Sequence, residues 1–117
     1  MEGPNLRSPR TLFSCPVELS VGKKTVRMRQ ALGNLSPHGL FLHAEALPVG
    51  GSVHIKMVTV PCFEVDGIVR HCEPDGIHIE FTDLTEANRR CLDDLIAQFA
   101  LQEPLPSSAE FKGFRRT

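Results

Sequence analysis

Two short segments of the sequence carry side chains that could bind an anionic or nucleobase ligand. The first is the N-terminal arm, in which Arg7 and Arg10 flank Ser8 and Pro9. A guanidinium group binds phosphate through two parallel hydrogen bonds, reads the O6 and N7 edge of guanine, and stacks on a purine ring. Pro9 favours an extended backbone before it, which sets the directions of the two arginine side chains. The arm is therefore a candidate anion-binding element.

The second segment is the stretch from Asn34 to Gly39, which holds a side-chain amide, a hydroxyl at Ser36 and a glycine within six residues. Backbone and side chains can together form a polar concavity in such a segment. The same residue types are typical of an ordinary turn, each for its own local reason. Composition alone favours the turn.

Residue combinations that would support catalysis are weak. Ser36 and His38 are two positions apart, whereas the serine and histidine of a catalytic triad come from distant segments. Asp93 and Asp94 are adjacent in a predicted helix, where they face different directions, and a solvated surface is the simpler interpretation. The sequence contains no GxGxxG or Walker-type phosphate-binding string. We therefore expect a protein that is not an enzyme.

The cysteines raise the question of a metal. Cys15, Cys62, Cys72 and Cys91 are scattered without a CxxC pair, and in a reducing compartment such residues are expected to be buried thiols. Zinc is the alternative because His71 adjoins Cys72. Neighbours on a strand face opposite ways, however, and both could not turn to one metal ion. We expect no metal ion and no cofactor.

Charge and length limit the partners. The chain has 117 residues, enough for one domain, and a formal net charge of -1, so no overall field attracts DNA, RNA or an anionic membrane. Residues 1–30 carry six basic and two acidic side chains, and the other 87 carry seven and twelve. An anion site should therefore draw on the N-terminal part. With no apolar run of about 18 residues, we expect no membrane insertion and a cytoplasmic location.

The elements that must position these residues follow from hydrophobic periodicity. Apolar and polar residues alternate in six short segments, a pattern typical of half-buried strands. The predicted strands are residues 13–21, 25–32, 40–44, 53–60, 63–72 and 77–81. In the second, Val26, Met28 and Leu32 are expected to share the apolar face. Six strands of this length favour a small barrel or a sandwich.

A change of period after the strands predicts an amphipathic helix over residues 85–102. Its apolar residues recur at spacings of three and four and are Leu92, Leu95, Ile96 and Phe99. Thr85 can cap the helix, and its apolar face should cover an open end or side of the barrel. We expect one domain over residues 1–102, with an arm at 1–11 and a barrel at 12–82. Residues 103–117 are expected to form a mobile tail, with docking of Phe111 and Phe114 on a partner as the alternative.

In this order, the arm and the loop resemble the signature of the bacterial PilZ domain, which is RxxxR followed further along the chain by (D/N)xSxxG. Arg10 is followed after 23 residues by Asn34, Ser36 and Gly39, which match the second element at every fixed position. The similarity continues through residues 16–19, 35–42 and 76–84, and it covers about residues 5 to 100.

The resemblance implies a mainly β fold, a six-stranded antiparallel barrel with one C-terminal amphipathic helix, and a receptor for cyclic di-GMP. It implies a site in which Arg7 and Arg10 grip phosphate and guanine. Asn34 and Ser36 would hydrogen-bond to the ligand, and Gly39 would let the backbone approach closely. We expect Arg10 and Ser36 at the surface. The arm would become ordered on binding and signal to an unidentified protein partner in motility or biofilm regulation.

Two positions depart from the family pattern. Leu6 stands where the first arginine of RxxxR is expected, with Arg7 one place later. His78 stands in the last strand where many members have a small residue, and an imidazole there would either crowd the pocket or stack on a base. The alternative function is therefore an adaptor for pilus or motility regulation that acts through protein contacts without binding the dinucleotide.

Overall fold

A computed structural model describes residues 10–102, which form six strands and one helix. The elements in chain order are β1 (Thr11–Val21), β2 (Lys24–Leu35), β3 (Gly39–Leu42), β4 (Ser52–Met57), β5 (Phe63–Glu73), β6 (Gly76–Thr82) and α1 (Glu86–Gln102). The strands pair antiparallel and close in the order β1-β2-β3-β6-β5-β4. The predicted six-stranded antiparallel barrel with a C-terminal helix is confirmed. Most of the predicted arm, including Arg7, and the predicted tail lie outside the described residues.

Strand alternation builds the core. Along β1, Phe13, Cys15, Val17 and Leu19 are buried, and the residues between them are exposed or half-buried. The same alternation runs through β4 and most of β5 and β6. The inward side chains of all six strands therefore form one apolar core that is continuous with the buried face of α1.

The second strand departs from the predicted alternation. Cys15 pairs with Ala31 but Val17 pairs with Met28, so β2 contains one residue more than β1 between these pairs. This β-bulge reverses the phase of the alternation between its two sides. The prediction that Leu32 shares the apolar face of Met28 is therefore wrong, and Leu32 is 51% exposed.

Several strand ends also differ from the prediction. β2 continues beyond residue 32 to Leu35, because its last three residues pair with β3. β3 ends at Leu42 rather than at residue 44, and β4 ends at Met57 rather than at residue 60. The segment after β4 contains Pro61, which has no N–H to donate to a strand ladder.

Helix α1 closes one end of the barrel. Leu92 and Leu95 are fully buried, and the ring centroid of Phe99 lies 5.8 Å from that of Phe13 in β1. The Asn88 backbone N–H donates to Thr85 Oγ1 at 3.0 Å, which confirms the predicted cap. No helix within residues 10–102 is long and apolar enough to span a membrane.

Antiparallel order fixes which connections share an end of the barrel. The helix end, as we call it, holds the start of β1, the turn at residues 36–38, the loop at 58–62 and α1. The hairpin end holds the β1–β2 turn at Gly22 and Lys23, the loop at residues 43–51 and the β5–β6 turn. Strands β1 and β2 run the whole distance between the two ends.

The cysteines occupy different environments. Cys15 lies in the core, where burial raises its thiol pKa to about 11. Cys72 and Cys91 are half-buried and Cys62 is exposed, so the expectation of four buried thiols is wrong for Cys62. All four are free thiols. Within residues 10–102, no group of three His, Cys, Asp or Glu side chains is placed to hold a metal ion.

The burial of the helix predicts a difference between adjacent residues. Leu95 is fully buried whereas Ile96, which the sequence placed in the same apolar face, is only half-buried. We expect Leu95→Ala to lower the free energy of unfolding by about 2 to 5 kcal/mol, because a buried cavity remains, and Ile96→Ala to cost less. Urea denaturation of both variants measures this. Equal losses would contradict the packing described for α1.

A histidine on the outer face of β4 is held by two carboxylates of β5. His54 Nδ1 lies 2.8 Å from Asp66 Oδ1, and Nε2 lies 2.9 Å from Glu64 Oε1. Hydrogen bonding to Asp66, and then to Glu64, raises the pKa of His54 above 6.5. The folded state therefore binds this proton more tightly than the unfolded state.

This proton linkage gives a pH dependence with a defined sign. The stabilisation is fully present below the unfolded-state pKa of 6.5 and is lost as pH rises through the higher folded-state pKa. We expect the wild type to exceed His54→Gln in unfolding free energy more at about pH 5.5 than at about pH 8.5. The effect is small because the side chain is 44% exposed. A difference that does not change with pH would contradict this assignment.

Candidate functional site

One hydrogen bond joins the two segments that the sequence analysis singled out. Arg10 is exposed directly before β1, and its Nη1 donates to Asn34 Oδ1 at 2.6 Å. Asn34 lies within β2 rather than in the expected turn, and it pairs with Leu12 of β1. Pairing of these strands thus brings two side chains that are 24 positions apart into contact.

The serine of the second segment builds the turn itself. The Ser36 backbone N–H donates to the Gly39 carbonyl at 2.9 Å, and its hydroxyl donates to the same oxygen at 3.2 Å. The His38 backbone N–H donates to Ser36 Oγ at 3.3 Å. Ser36 is only 8% exposed, so the expectation that it lies at the surface is wrong. Short hydroxyl side chains fold back on their own backbone in this way.

The glycine serves close packing between two strands. Gly39 opens β3 and pairs with Glu80 of β6. A Cβ atom at this position would lie 2.2 Å from the carbonyl oxygen of Ile79. A side chain at this position would therefore collide with the backbone of β6. The close approach that this glycine permits is that of β6 to β3.

A shallow concavity of about 270 Å³ lies beside this turn on the outer surface of the barrel. It is lined by Arg10, Ser36, His38, Gly39, Leu40, Arg70, His78, Ile79 and Glu80. Four of the predicted site residues therefore border one depression, and a fifth, Asn34, contacts Arg10. Two guanidinium groups and one carboxylate face it, which favours an anionic ligand that also offers hydrogen-bond donors.

Two of the charged lining residues were missed by the sequence analysis. Arg70 Nε donates to Glu80 Oε1 at 2.5 Å across β5 and β6. Glu80 follows His78 by two positions in the same strand, so alternation alone would have placed both on one face. Arg70 had no such signal, because it occupies a bulge in β5.

The His78 side chain lines the concavity and is held in place by contacts with two other side chains. Its ring centroid lies 4.6 Å from that of Phe41, and its Nε2 lies 2.7 Å from Glu73 Oε2. Phe41 is buried on the outer side of the barrel wall, with His43 on it as well at a centroid distance of 5.0 Å. The His78 side chain is 30% exposed. The Nε2 edge of the imidazole is thus occupied by Glu73, whereas part of the ring remains accessible to solvent.

The turn is also attached to the helix. Arg89 of α1 donates from Nη1 to the carbonyl oxygen of Pro37 at 3.2 Å. His38 contributes a second tie, because its carbonyl accepts from the Phe81 backbone N–H at 2.9 Å. The turn between β2 and β3 is therefore fixed to both α1 and β6.

Comparison with known proteins settles the family. The family model of the PilZ domain matches residues 5–98, most of the chain. The chain belongs to the PilZ family. PilZ domains are binding and adaptor domains rather than enzymes. No curated protein sequence matches the chain.

Solved PilZ structures share the fold. The PilZ domain of CeSA from a cellulose-synthesizing bacterium is 16% identical with a TM-score of 0.62, and the match covers 82% of this chain and all of that one. The Bacillus subtilis Inhibitor of motility, MotI/DgrA, is 15% identical with a TM-score of 0.65, and the match covers 86% of this chain and 53% of that one. This chain therefore spans about half of the latter protein. At these identities the likeness concerns the fold.

Within this PilZ domain, the hydrogen bonds of the turn after β2 lead to a stability prediction. Ser36→Ala removes a buried hydroxyl that bonds to Gly39 O and accepts from His38 N–H. We expect a loss of about 1 to 2 kcal/mol in unfolding free energy, because two part-buried hydrogen bonds of about 0.5 to 1.5 kcal/mol each are lost. The exposed Ser52→Ala is the control and should change it by less than about 0.5 kcal/mol. Thermal denaturation measures both, and equal effects would contradict the structural role of Ser36.

Proposed function

We propose that this PilZ domain is a receptor for cyclic di-GMP, which binds between the N-terminal arm and the concavity beside Ser36. The observation that carries the proposal is the 2.6 Å hydrogen bond between Arg10 and Asn34. It places the arginine and the amide of the two signature segments together at the rim of a depression with a second guanidinium group, that of Arg70. The arrangement suits a ligand that combines two phosphates with two guanine bases.

Arg10 is the principal ligand contact in this proposal. A guanidinium has five N–H donors, so the bond to Asn34 orients the group and leaves capacity for a ligand. Its planar fork matches a phosphate or the O6 and N7 edge of guanine. Asn34 therefore positions Arg10 and also offers its amide nitrogen to the ligand.

The β5–β6 side of the concavity supplies complementary groups. The Glu80 carboxylate can accept from the N–H groups of guanine, whose N2 amino group is a donor. Arg70, which pairs with Glu80, would bind a phosphate of the ligand. His78 can stack on a base, because its ring rests on Phe41 and remains partly exposed. Among the alternatives of crowding and stacking, this geometry favours stacking.

The remaining parts of the proposal concern signalling. Arg7 would assist Arg10, and the arm would become ordered on binding, although the residues before Arg10 lie outside the described range. The receptor would pass the signal to a protein partner in the cytoplasm, with motility or biofilm formation as the output. The alternative, an adaptor that does not bind the dinucleotide, is favoured by Leu6 at the place of the first signature arginine.

Calorimetric titration with cyclic di-GMP tests the site. We expect a dissociation constant in the micromolar range or weaker, because one arginine of the signature is absent and each lost contact removes about a decade of affinity. Arg10→Ala should weaken binding by about tenfold or more, as expected for a lost bidentate contact of about 1 to 3 kcal/mol. Leu6→Arg should tighten binding or leave it unchanged.

The matched control is Arg90→Ala, since Arg90 is an exposed arginine of α1 and its loss should leave the affinity within about twofold. Binding that is unaffected by Arg10→Ala would place the ligand elsewhere. No saturable binding by the wild type, together with binding by Leu6→Arg, would support the adaptor alternative.

A further inference from the structure

Strand β2 has an open edge at the hairpin end. β3 pairs only with the last part of β2, from Gly33 to Leu35, and the His43 backbone N–H donates to Leu32 O at 2.9 Å. From Lys24 to Ala31, β2 pairs with β1 on one side, and no strand within residues 10–102 pairs with its other side. In an antiparallel strand, alternate residues direct both backbone groups to the same side. This segment therefore presents backbone donors and acceptors to an incoming strand.

An apolar cavity adjoins this edge. It has a volume of about 480 Å³ and lies between the inward face of the β1–β2 hairpin and the loop at residues 44–47. Leu19, Val26 and Met28 line the hairpin side, and Leu47 lines the loop side. Val26 is 40% exposed although its strand position faces inward. The volume is within the range of about 300 to 1,000 Å³ that is typical of ligand sites.

The same segment is strongly basic. Residues 23–29 contain Lys23, Lys24, Arg27 and Arg29 and no acidic residue. The only carboxylate that pairs with these four within the described part of the chain is Glu18, at 3.5 Å from Arg27. Lys24 also lines the cavity, whereas Arg27 lies on the opposite face of the strand. On the cavity face, Glu45 of the loop accompanies Lys24. The positive charge on the outer face of the open edge is that of Arg27 and Arg29.

We propose that the open edge of β2 binds an extended segment of a partner protein in which apolar and acidic residues alternate. Backbone hydrogen bonds would add the segment as a strand beside residues 24–31. Its apolar side chains, on one face, would enter the cavity at Val26 and Met28. Its acidic side chains, on the other face, would meet Arg27 and Arg29. A single segment with this alternation can therefore pair with the strand edge, fill the apolar cavity and neutralise the two arginines.

The charge decides against a second copy of this chain as the occupant. Pairing of two β2 edges would bring four basic side chains of one copy against the same four of the other. Like charges on adjacent strands are destabilising. Basic side chains on an edge strand can also serve to prevent aggregation. Protection against aggregation does not explain the apolar cavity beside the edge.

The proposed docking edge is separate from the proposed dinucleotide site. The edge belongs to the hairpin end of β2, and Asn34 belongs to the helix end of the same strand. Binding of the segment is therefore tested in the absence of dinucleotide, and the inference stands whether or not cyclic di-GMP binds.

Selection from a displayed library of random peptides of about nine residues tests the proposal, since that length spans the edge at about 3.3 Å per residue. We expect the full-length protein to enrich peptides in which acidic and apolar residues alternate. A synthetic copy of the most enriched peptide then serves as the probe. Its binding should protect alternate backbone amides between Lys24 and Ala31 from hydrogen exchange. A composition-matched peptide with the alternation scrambled should bind at least about tenfold more weakly.

Two variants with matched controls locate the interaction. Arg27→Glu with Arg29→Glu should weaken peptide binding by at least about tenfold, because attraction becomes repulsion, whereas Arg90→Glu on α1 should leave it within about twofold. Val26→Glu should weaken binding similarly by placing a charge in the cavity. Its control is Val60→Glu, at a valine that is 90% exposed.

Three outcomes would overturn the proposal. The first is enrichment of peptides without acidic and apolar alternation, or of none. The second is amide protection outside residues 24–31. The third is affinity that is unchanged by both the charge reversal and Val26→Glu. Denaturation curves of each variant establish that a loss of binding is not a loss of folding.

Discussion

The antiparallel pairing of β1 with β2 is the interaction on which the rest of this structure depends. These two strands extend from one end of the barrel to the other. The two strands that pair with them, β3 and β4, are shorter and cover only part of their length. At the helix end, their pairing sets Arg10 beside Asn34. At the hairpin end, it holds the first part of β2 in the sheet beyond β3, next to a β1 that pairs with β4 on its other side. The bulge between these ends lets both halves of β2 direct apolar residues to the interior.

Much of the fold was predictable because alternation and period change are local properties. Six strands, the capping residue Thr85 and the buried positions of α1 at Leu92, Leu95 and Phe99 all followed from spacing. The bulges did not, because register depends on the partner strand as well as on the strand itself. Pro16, which lacks an N–H and lies opposite the β2 bulge, is the feature of the sequence that indicates an irregular pairing there. The bulge is the reason why Leu32 lies on the outer face.

The residues that border the candidate site could be predicted from the sequence, but their hydrogen bonds and packing contacts could not. Sequence identified Arg10, Asn34, Ser36 and Gly39, and the structure brings them together. It could not reveal that Ser36 and Gly39 are occupied by the turn and by packing on β6, because hydrogen-bond partners and strand contacts are properties of the folded chain. Two of the four signature residues, Ser36 and Gly39, thus make contacts that maintain the fold. The presence of the signature therefore indicates the shape of the site more directly than it indicates affinity for a ligand.

The hydrogen bond from Arg89 to the Pro37 carbonyl connects helix α1 directly to the turn that borders the candidate site. A ligand that displaces the turn at residues 36–38 must strain or break this bond, and a partner that shifts α1 must do the same from the other side. Thermodynamic reciprocity then requires each event to change the free energy of the other by an equal amount. The Arg89 guanidinium is thus a direct side-chain link between the turn that borders the concavity and the surface of the helix.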